Sequence, residues 1–201
     1  MDELSNIRGS CLRAHCNVGK KTVNGRWMRL RRRTALGGSG PGRRYATQQI
    51  NQAYTVLLMS QFQRYCRELH TEAIRFLTSA PPKDPRSTLL RVRLTEGRKL
   101  DAGNANPSNL GSDFARFGMN FWDVVKAHQR GNRARQEKLS VLNQWRNAIA
   151  HQNFDSPILS GRSSIRLAEI RAWRAVCKSL AESFDAVVRA HLMGIIGKAP
   201  W

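Results

Sequence analysis

The spacing of the apolar residues constrains the fold most tightly. From Gln48 to Ser79, Ile50, Tyr54, Leu57, Phe62, Tyr65, Leu69, Ala73 and Phe76 recur close to the helical period over many turns. A strand, which alternates faces at every residue, has no use for that pattern. Pro81-Pro82 ends the helix. A second helical stretch is predicted over about Ser87 to Leu100, interrupted by Gly97, before a loop from Asp101 to Gly111 rich in Asn, Gly and Pro. Ser112-Asp113 reads as the N-cap of a third helix through Phe114, Phe117, Phe121, Trp122 and Val125. Gly131-Asn132 separates it from a fourth over about Arg133 to Gln152, and Pro157 with Gly161 marks a break after it. The fifth opens near Ser163-Ser164 and carries Ile170, Trp173, Cys177, Leu180, Phe184 and Val187 at steps of three or four. No stretch alternates as a strand would, and no repeat of about 20 to 50 residues is present. The expected fold is all-α, an antiparallel bundle of four or five helices. Trp122, Trp145 and Trp173 lie on apolar faces and are expected in its core.

Residues 1–44 read differently. They hold eleven Lys or Arg against two Asp or Glu, and end in Gly37-Gly38-Ser39-Gly40-Pro41-Gly42. They are expected to form a basic, flexible N-terminal tail, with residues 45–201 as the bundle. Such a tail is an RNA-gripping arm, a solubilising leader or an over-extended gene start, for which Met28 is an internal alternative. Gly37 and Gly42 bracket four residues as in a phosphate-binding loop, but Arg43-Arg44 follow instead of Lys then Ser or Thr, and neither a preceding apolar strand nor a directly following helix is expected.

Charge narrows the partner. Thirty-four Lys and Arg against fourteen Asp and Glu leave a formal +20 and a pI near 11.3, which points to a polyanion. Arg supplies 26 of those cations; its guanidinium forks phosphate and stacks on bases, so a nucleic acid is the expected partner, with GC-rich codon usage as the compositional alternative. Cys11, Cys16, Cys66 and Cys177 are too few and scattered for a disulfide framework, and a reducing cytoplasm is expected. Cys11 and Cys16 flank His15, but no second Cys/His pair follows at finger spacing, so neither metal nor other cofactor is expected. The longest apolar run is Val56 to Met59, so neither signal peptide nor membrane span is expected.

The stretch that carries chemistry is Leu142-Asn143-Gln144-Trp145-Arg146-Asn147-Ala148-Ile149-Ala150-His151. At about 100° per residue, Leu142, Trp145 and Ile149 form the core stripe. His151 falls roughly opposite, beside Asn147 and near Ser140 and Gln144. Arg146 and His151 are about 140° apart, so one straight helix does not aim both at one spot. A long Arg arm, a loosened last turn, or a second copy across a two-fold axis would each close the gap.

Arg146-Asn147-Ala148-Ile149-Ala150-His151 resembles the Arg-polar-x-x-x-His signature of the HEPN superfamily, late in a helical bundle and followed by another long helix. The first helix, with Ala53-Tyr54-Thr55-Val56-Leu57-Leu58 leading to Phe62-Gln63-Arg64-Tyr65-Cys66-Arg67-Glu68-Leu69-His70, is also similar to the opening helix of prokaryotic HEPN proteins. The resemblance covers about residues 45 to 195. It implies a small α-bundle that dimerises, often a ribonuclease of toxin or antiviral defence systems that cuts RNA without metal.

RNA carries its own nucleophile in the 2′-OH, so such a cleaver needs one group to move protons and another to stabilise the phosphorane-like transition state. His151 would do the first, Arg146 the second, and Asn147 would orient the imidazole or the phosphate. The plain alternatives are a surface ion pair or a phosphate-positioning contact without catalysis for Arg146, a helix-end histidine for His151 and a structural amide for Asn147. Arg64, Arg67 and His70 on the first helix are candidates to edge the same cleft and bind RNA, or members of a solvated face together with Glu68. The expected protein is a homodimeric endoribonuclease, with an antitoxin as a possible further partner. The rivals are a non-catalytic RNA-binding or interaction module, one half of a toxin pair, and, more distantly, a DNA-binding regulator.

Overall fold

The computed structural model describes residues 41–78 and 84–201. Among them are seven α-helices, two short 3-10 turns and no strand. In chain order the helices are α1 (Pro41–Leu77), α2 (Pro85–Thr95), α3 (Lys99–Ala102), α4 (Pro107–Phe114), α5 (Phe121–His128), α6 (Asn132–His151) and α7 (Leu167–Ile196). Residues Gln52–Pro200 form one compact unit, which holds every side chain discussed below. The fold is an all-α helical bundle. Residues 1–40, most of the expected tail, lie outside the described residues; α1 already begins at Pro41, so residues 41–44 are helical.

The long elements follow their apolar stripes. On α1 the buried positions are Asn51, Tyr54, Thr55, Met59, Phe62, Cys66, Leu69, His70, Ala73 and Ile74, single residues or adjacent pairs recurring every three to four residues, which keeps one face inward. α6 and α7 run antiparallel. Ser183 Oγ donates to Asn132 Oδ1 at one end of the pair, at 3.5 Å, while Trp145 and Trp173 pack 6.4 Å apart towards the other. The aromatic node of the core joins four elements: Phe114 stacks on Phe121 at 4.4 Å, Phe121 meets Phe184 at 4.8 Å, and Phe62 reaches Phe184 at 6.0 Å. Trp122, Trp145 and Trp173 are all buried, as the apolar faces predicted. Cys66 and Cys177 are buried free thiols; burial pushes Cys177 up to about 12 and Cys66 well above the ordinary thiol value.

The middle of the chain departs from the sequence expectation. The second stretch is two helices, because Gly97 takes a left-handed φ of 64° between α2 and α3. The expected loop Asp101–Gly111 contains the start of α4, whose cap is Asn106, accepting from Asn109 N at 2.8 Å, with Pro107 in the first turn. Asn-Pro, read as loop punctuation, is also a helix-start signal. Asp113 is not an N-cap of its own helix. Its two carboxylate oxygens accept from Lys99 N at 2.9 Å and Leu100 N at 2.7 Å, capping α3 from a distance. The expected third helix is split after a 3-10 turn, where Gly118 adopts φ 76°. α7 opens at Leu167 because the Glu169 carboxylate reaches back to Arg166 N at 2.8 Å, half of a capping box, and so fixes the helix start after Ser163-Ser164.

Candidate functional site

α6 delivers the motif to the surface. Leu142, Trp145, Ala148 and Ile149 are buried and hold the helix against the core, which leaves Arg146 and Asn147 half-buried on its flank and His151 exposed. The helix ends by a mechanism its own backbone supplies. Gln152 takes φ 51°, its N–H reaches Ile149 O at 3.4 Å, and Asn153 N reaches Ala148 O at 3.0 Å. That Schellman arrangement makes His151 the last helical residue. Ser156 Oγ then donates to Gln144 Oε1 at 2.8 Å and folds the following loop back along the helix.

Within the motif, Arg146 Nη1 donates to Asn147 Oδ1 at 3.2 Å. No carboxylate of the described residues pairs with Arg146. Asn147 also accepts from Asn104 Nδ2, at 2.6 Å, across 43 residues of sequence. No bond joins Asn147 to His151 among the described residues, so its amide is engaged by Arg146 and Asn104 and not by the imidazole. The structure thus joins Arg146 and Asn147 directly and leaves His151 at the adjoining helix end with an open side chain. Asn104 was missed in the sequence. A loop asparagine among several others carries no periodic signal, and only folding brings it to α6.

The three residues of α1 part company. Arg64 is 61% exposed and donates to Glu68 Oε1 at 2.8 Å, one turn away. Arg67 turns inward to α3, donating to Leu100 O at 2.8 Å and pairing with Asp101 at 3.2 Å. His70 corrects the expectation outright: it has no exposed surface and so cannot reach RNA. Its spacing showed as much, since it stands four residues from both Cys66 and Ile74 and three from Ala73, on the buried stripe.

His70 instead anchors a polar knot. Its Nε2 lies 3.0 Å from Asp113 O and its Nδ1 3.4 Å from Arg98 Nη1. A guanidinium only donates, so Nδ1 must accept and Nε2 carries the proton. Burial foremost, and the nearby Arg98 charge, hold this imidazole down at about 4, against 6.5 for an ordinary histidine. Arg98 grips Asp101 with two bonds, at 2.9 and 2.8 Å, which keep that carboxyl below its usual value. Arg116 completes the knot by donating to Glu96 O at 2.6 Å and Gly97 O at 2.8 Å. The knot sets the turn between α2 and α3, and so the path of the chain that leads to Asn104.

A separate cleft of about 220 Å³ opens beside Trp145 and Trp173, with Arg162 lying 5.6 Å over the Trp145 ring and paired with Glu169 at 2.8 Å. It lies on the Trp145 side of α6, and none of Arg146, Asn147 and His151 lines it. Among the described residues no three His, Cys, Asp or Glu side chains gather as a cation would require; Cys11, His15 and Cys16 lie outside them. No described helix is long and apolar enough to cross a membrane.

No curated protein and no solved structure matches the chain. One family model, described as RiboL-PSP-HEPN, matches residues 39–190, well over half of the chain and from α1 almost to the end of α7. The match takes in α6 with its Arg146–His151 motif, and the chain belongs to the RiboL-PSP-HEPN family of the HEPN superfamily.

Proposed function

We propose that this protein is a metal-independent endoribonuclease that works as a homodimer, as a toxin or antiviral defence effector. One observation carries the reading. At the exposed end of α6, a histidine without a partner among the described residues follows an arginine whose guanidinium is committed to no carboxylate. In a chain of formal charge +20, that is a cation paired with no carboxylate and an open proton carrier at the same end of one helix.

In the proposed reaction the 2′-oxygen of RNA attacks the adjacent phosphorus, and the P–O5′ bond breaks. His151 takes the 2′-OH proton and a proton is returned to O5′, leaving a 2′,3′-cyclic phosphate and a 5′-OH. Arg146 stabilises the charge that gathers on the phosphoryl oxygens, where its forked donors fit two oxygens at once. The roughly 140° between Arg146 and His151 on one helix favours a site completed across a two-fold axis.

The test is incubation of the protein and its His151→Ala variant with total RNA and tRNA in EDTA, followed by analysis of product ends. Cyclic phosphate ends from the wild type alone support the proposal. An equally active His151→Ala protein refutes the role of the motif. A second reading, an RNA-binding module without catalysis, is favoured by the direction of the Arg146 bond, towards Asn147 and not towards His151. It predicts salt-sensitive RNA binding with no cut products, and a smaller salt slope for Arg146→Ala. An antitoxin partner belongs to either reading; co-purification of an acidic protein from the native host tests for it.

A further inference from the structure

The Arg146–Asn147 pair is held from outside its own helix. Asn147 Oδ1 accepts two hydrogen bonds, from Arg146 Nη1 at 3.2 Å and from Asn104 Nδ2 at 2.6 Å. Only the oxygen of a carboxamide accepts, so two donors converging on one atom decide which way the Asn147 amide faces. Its Nδ2, with two N–H groups, is given to no described residue, and belongs to the same carboxamide whose oxygen holds the guanidinium. A guanidinium next to an amide NH2 is a donor set matched to the non-bridging oxygens of a phosphate.

The segment that carries Asn104 is itself tied in place by amides. Gln63 Nε2 of α1 donates to Gly103 O at 2.7 Å and Leu100 O at 3.0 Å. Asn109 Nδ2 donates to Asn104 O at 2.8 Å. A Cβ on Gly103 would lie 2.9 Å from Asn109 Nδ2 and 3.3 Å from Lys99 O, so glycine is what lets Asn109 reach its acceptor. A chain of side-chain amides thus runs from α1 through the turn before α4 to the motif on α6.

We propose that Asn104 is a positioning residue for an RNA-phosphate site formed by Arg146 and Asn147 Nδ2, acting by locking the orientation of the Asn147 carboxamide. This rests on the reading of the chain as an RNA-binding protein. The probe is a fluorescent 12-mer 2′-O-methyl RNA, which lacks the attacking hydroxyl and isolates binding from cleavage. Asn104→Ala and Asn147→Ala each weaken binding about fivefold. The double variant binds no more weakly than Asn147→Ala alone, because Asn104 acts only through Asn147. Wild-type affinity in Asn104→Ala, or losses that multiply in the double variant, overturn the proposal.

A second measurement starts from the wild type. In 15N-labelled wild-type protein, the Asn147 side-chain amide protons shift on addition of the oligonucleotide and, separately, of inorganic phosphate. If neither moves them, the proposal fails. If the protein ignores the oligonucleotide but phosphate moves the Asn147 amide, in the wild type and not in Asn104→Ala, the RNA reading falls while the positioning role stands.

Discussion

His70 makes stability depend on pH in a way that a single substitution isolates. Its imidazole titrates at about 4 in the folded protein and near 6.5 in an unfolded chain. Between those values the unfolded state binds the extra proton, so stability rises with pH; the contribution is complete above about 6.5 and is lost as pH falls towards 4. Linkage over that gap makes the folded state about 2 kcal/mol less stable at pH 5 than at pH 7 from this group alone. The physical source is the knot. A protonated His70 would place a second N–H against the Arg98 guanidinium at 3.4 Å, in a site without exposed surface. His70→Gln keeps a donor for Asp113 O and removes the titration. It also loses the ring contacts with Phe117 at 4.6 Å and Phe114 at 5.3 Å, so it is the less stable protein at pH 7 by about 1 to 2 kcal/mol. Urea unfolding followed by helical circular dichroism at pH 7, 6 and 5 measures both. The carboxylates and the other histidines are common to the two proteins and cancel in the difference. The wild type should lose about 2 kcal/mol more than His70→Gln between pH 7 and 5. Parallel profiles would refute the buried, neutral His70.

The geometry fixes four further outcomes. Asp113→Ala leaves Lys99 N and Leu100 N without their acceptor and costs about 3 kcal/mol in urea unfolding; a loss below about 1 kcal/mol would mean that water replaces the cap. Gly118→Ala meets no atom within 4 Å, so its cost is backbone strain at φ 76° alone, about 1 kcal/mol by thermal melting. Arg146→Lys keeps the charge but not the fork, so RNA binding should survive with little change in salt slope while cleavage falls at least tenfold, measured on a labelled substrate. Gly103→Ala should displace Asn109 and weaken binding of the uncleavable 12-mer, with little change in the global unfolding midpoint.

Most of the long architecture was legible because period and burial are one physical fact. An apolar stripe at helical spacing must be covered, and α6 and α7 lie where their stripes indicated; on α1, Tyr54, Phe62, Leu69 and Ala73 are buried, while Ile50, Leu57, Tyr65 and Phe76 are only partly covered. The motif was legible for the complementary reason: His151 falls off the stripe of Leu142, Trp145 and Ile149, and it is exposed. The middle of the chain was not legible. Asn106-Pro107 has the chemistry of both a loop and a helix start, and Asp113 could be read as a local cap when its oxygens serve α3, thirteen and fourteen residues earlier. Short helices carry too few residues for periodicity to settle such a choice.

Local spacing therefore specified the long helices, the buried tryptophans and the outward histidine, since each depends on residues within a few turns of one another. Which partners Asn147, Asn104 and His70 keep was decided only by tertiary contacts spanning 28 to 43 residues. A polar side chain has several possible hydrogen-bond partners in the unfolded chain and in isolated helices. Which one it keeps is set by the donors and acceptors that packing delivers, and by the cost of leaving any of them buried without a partner.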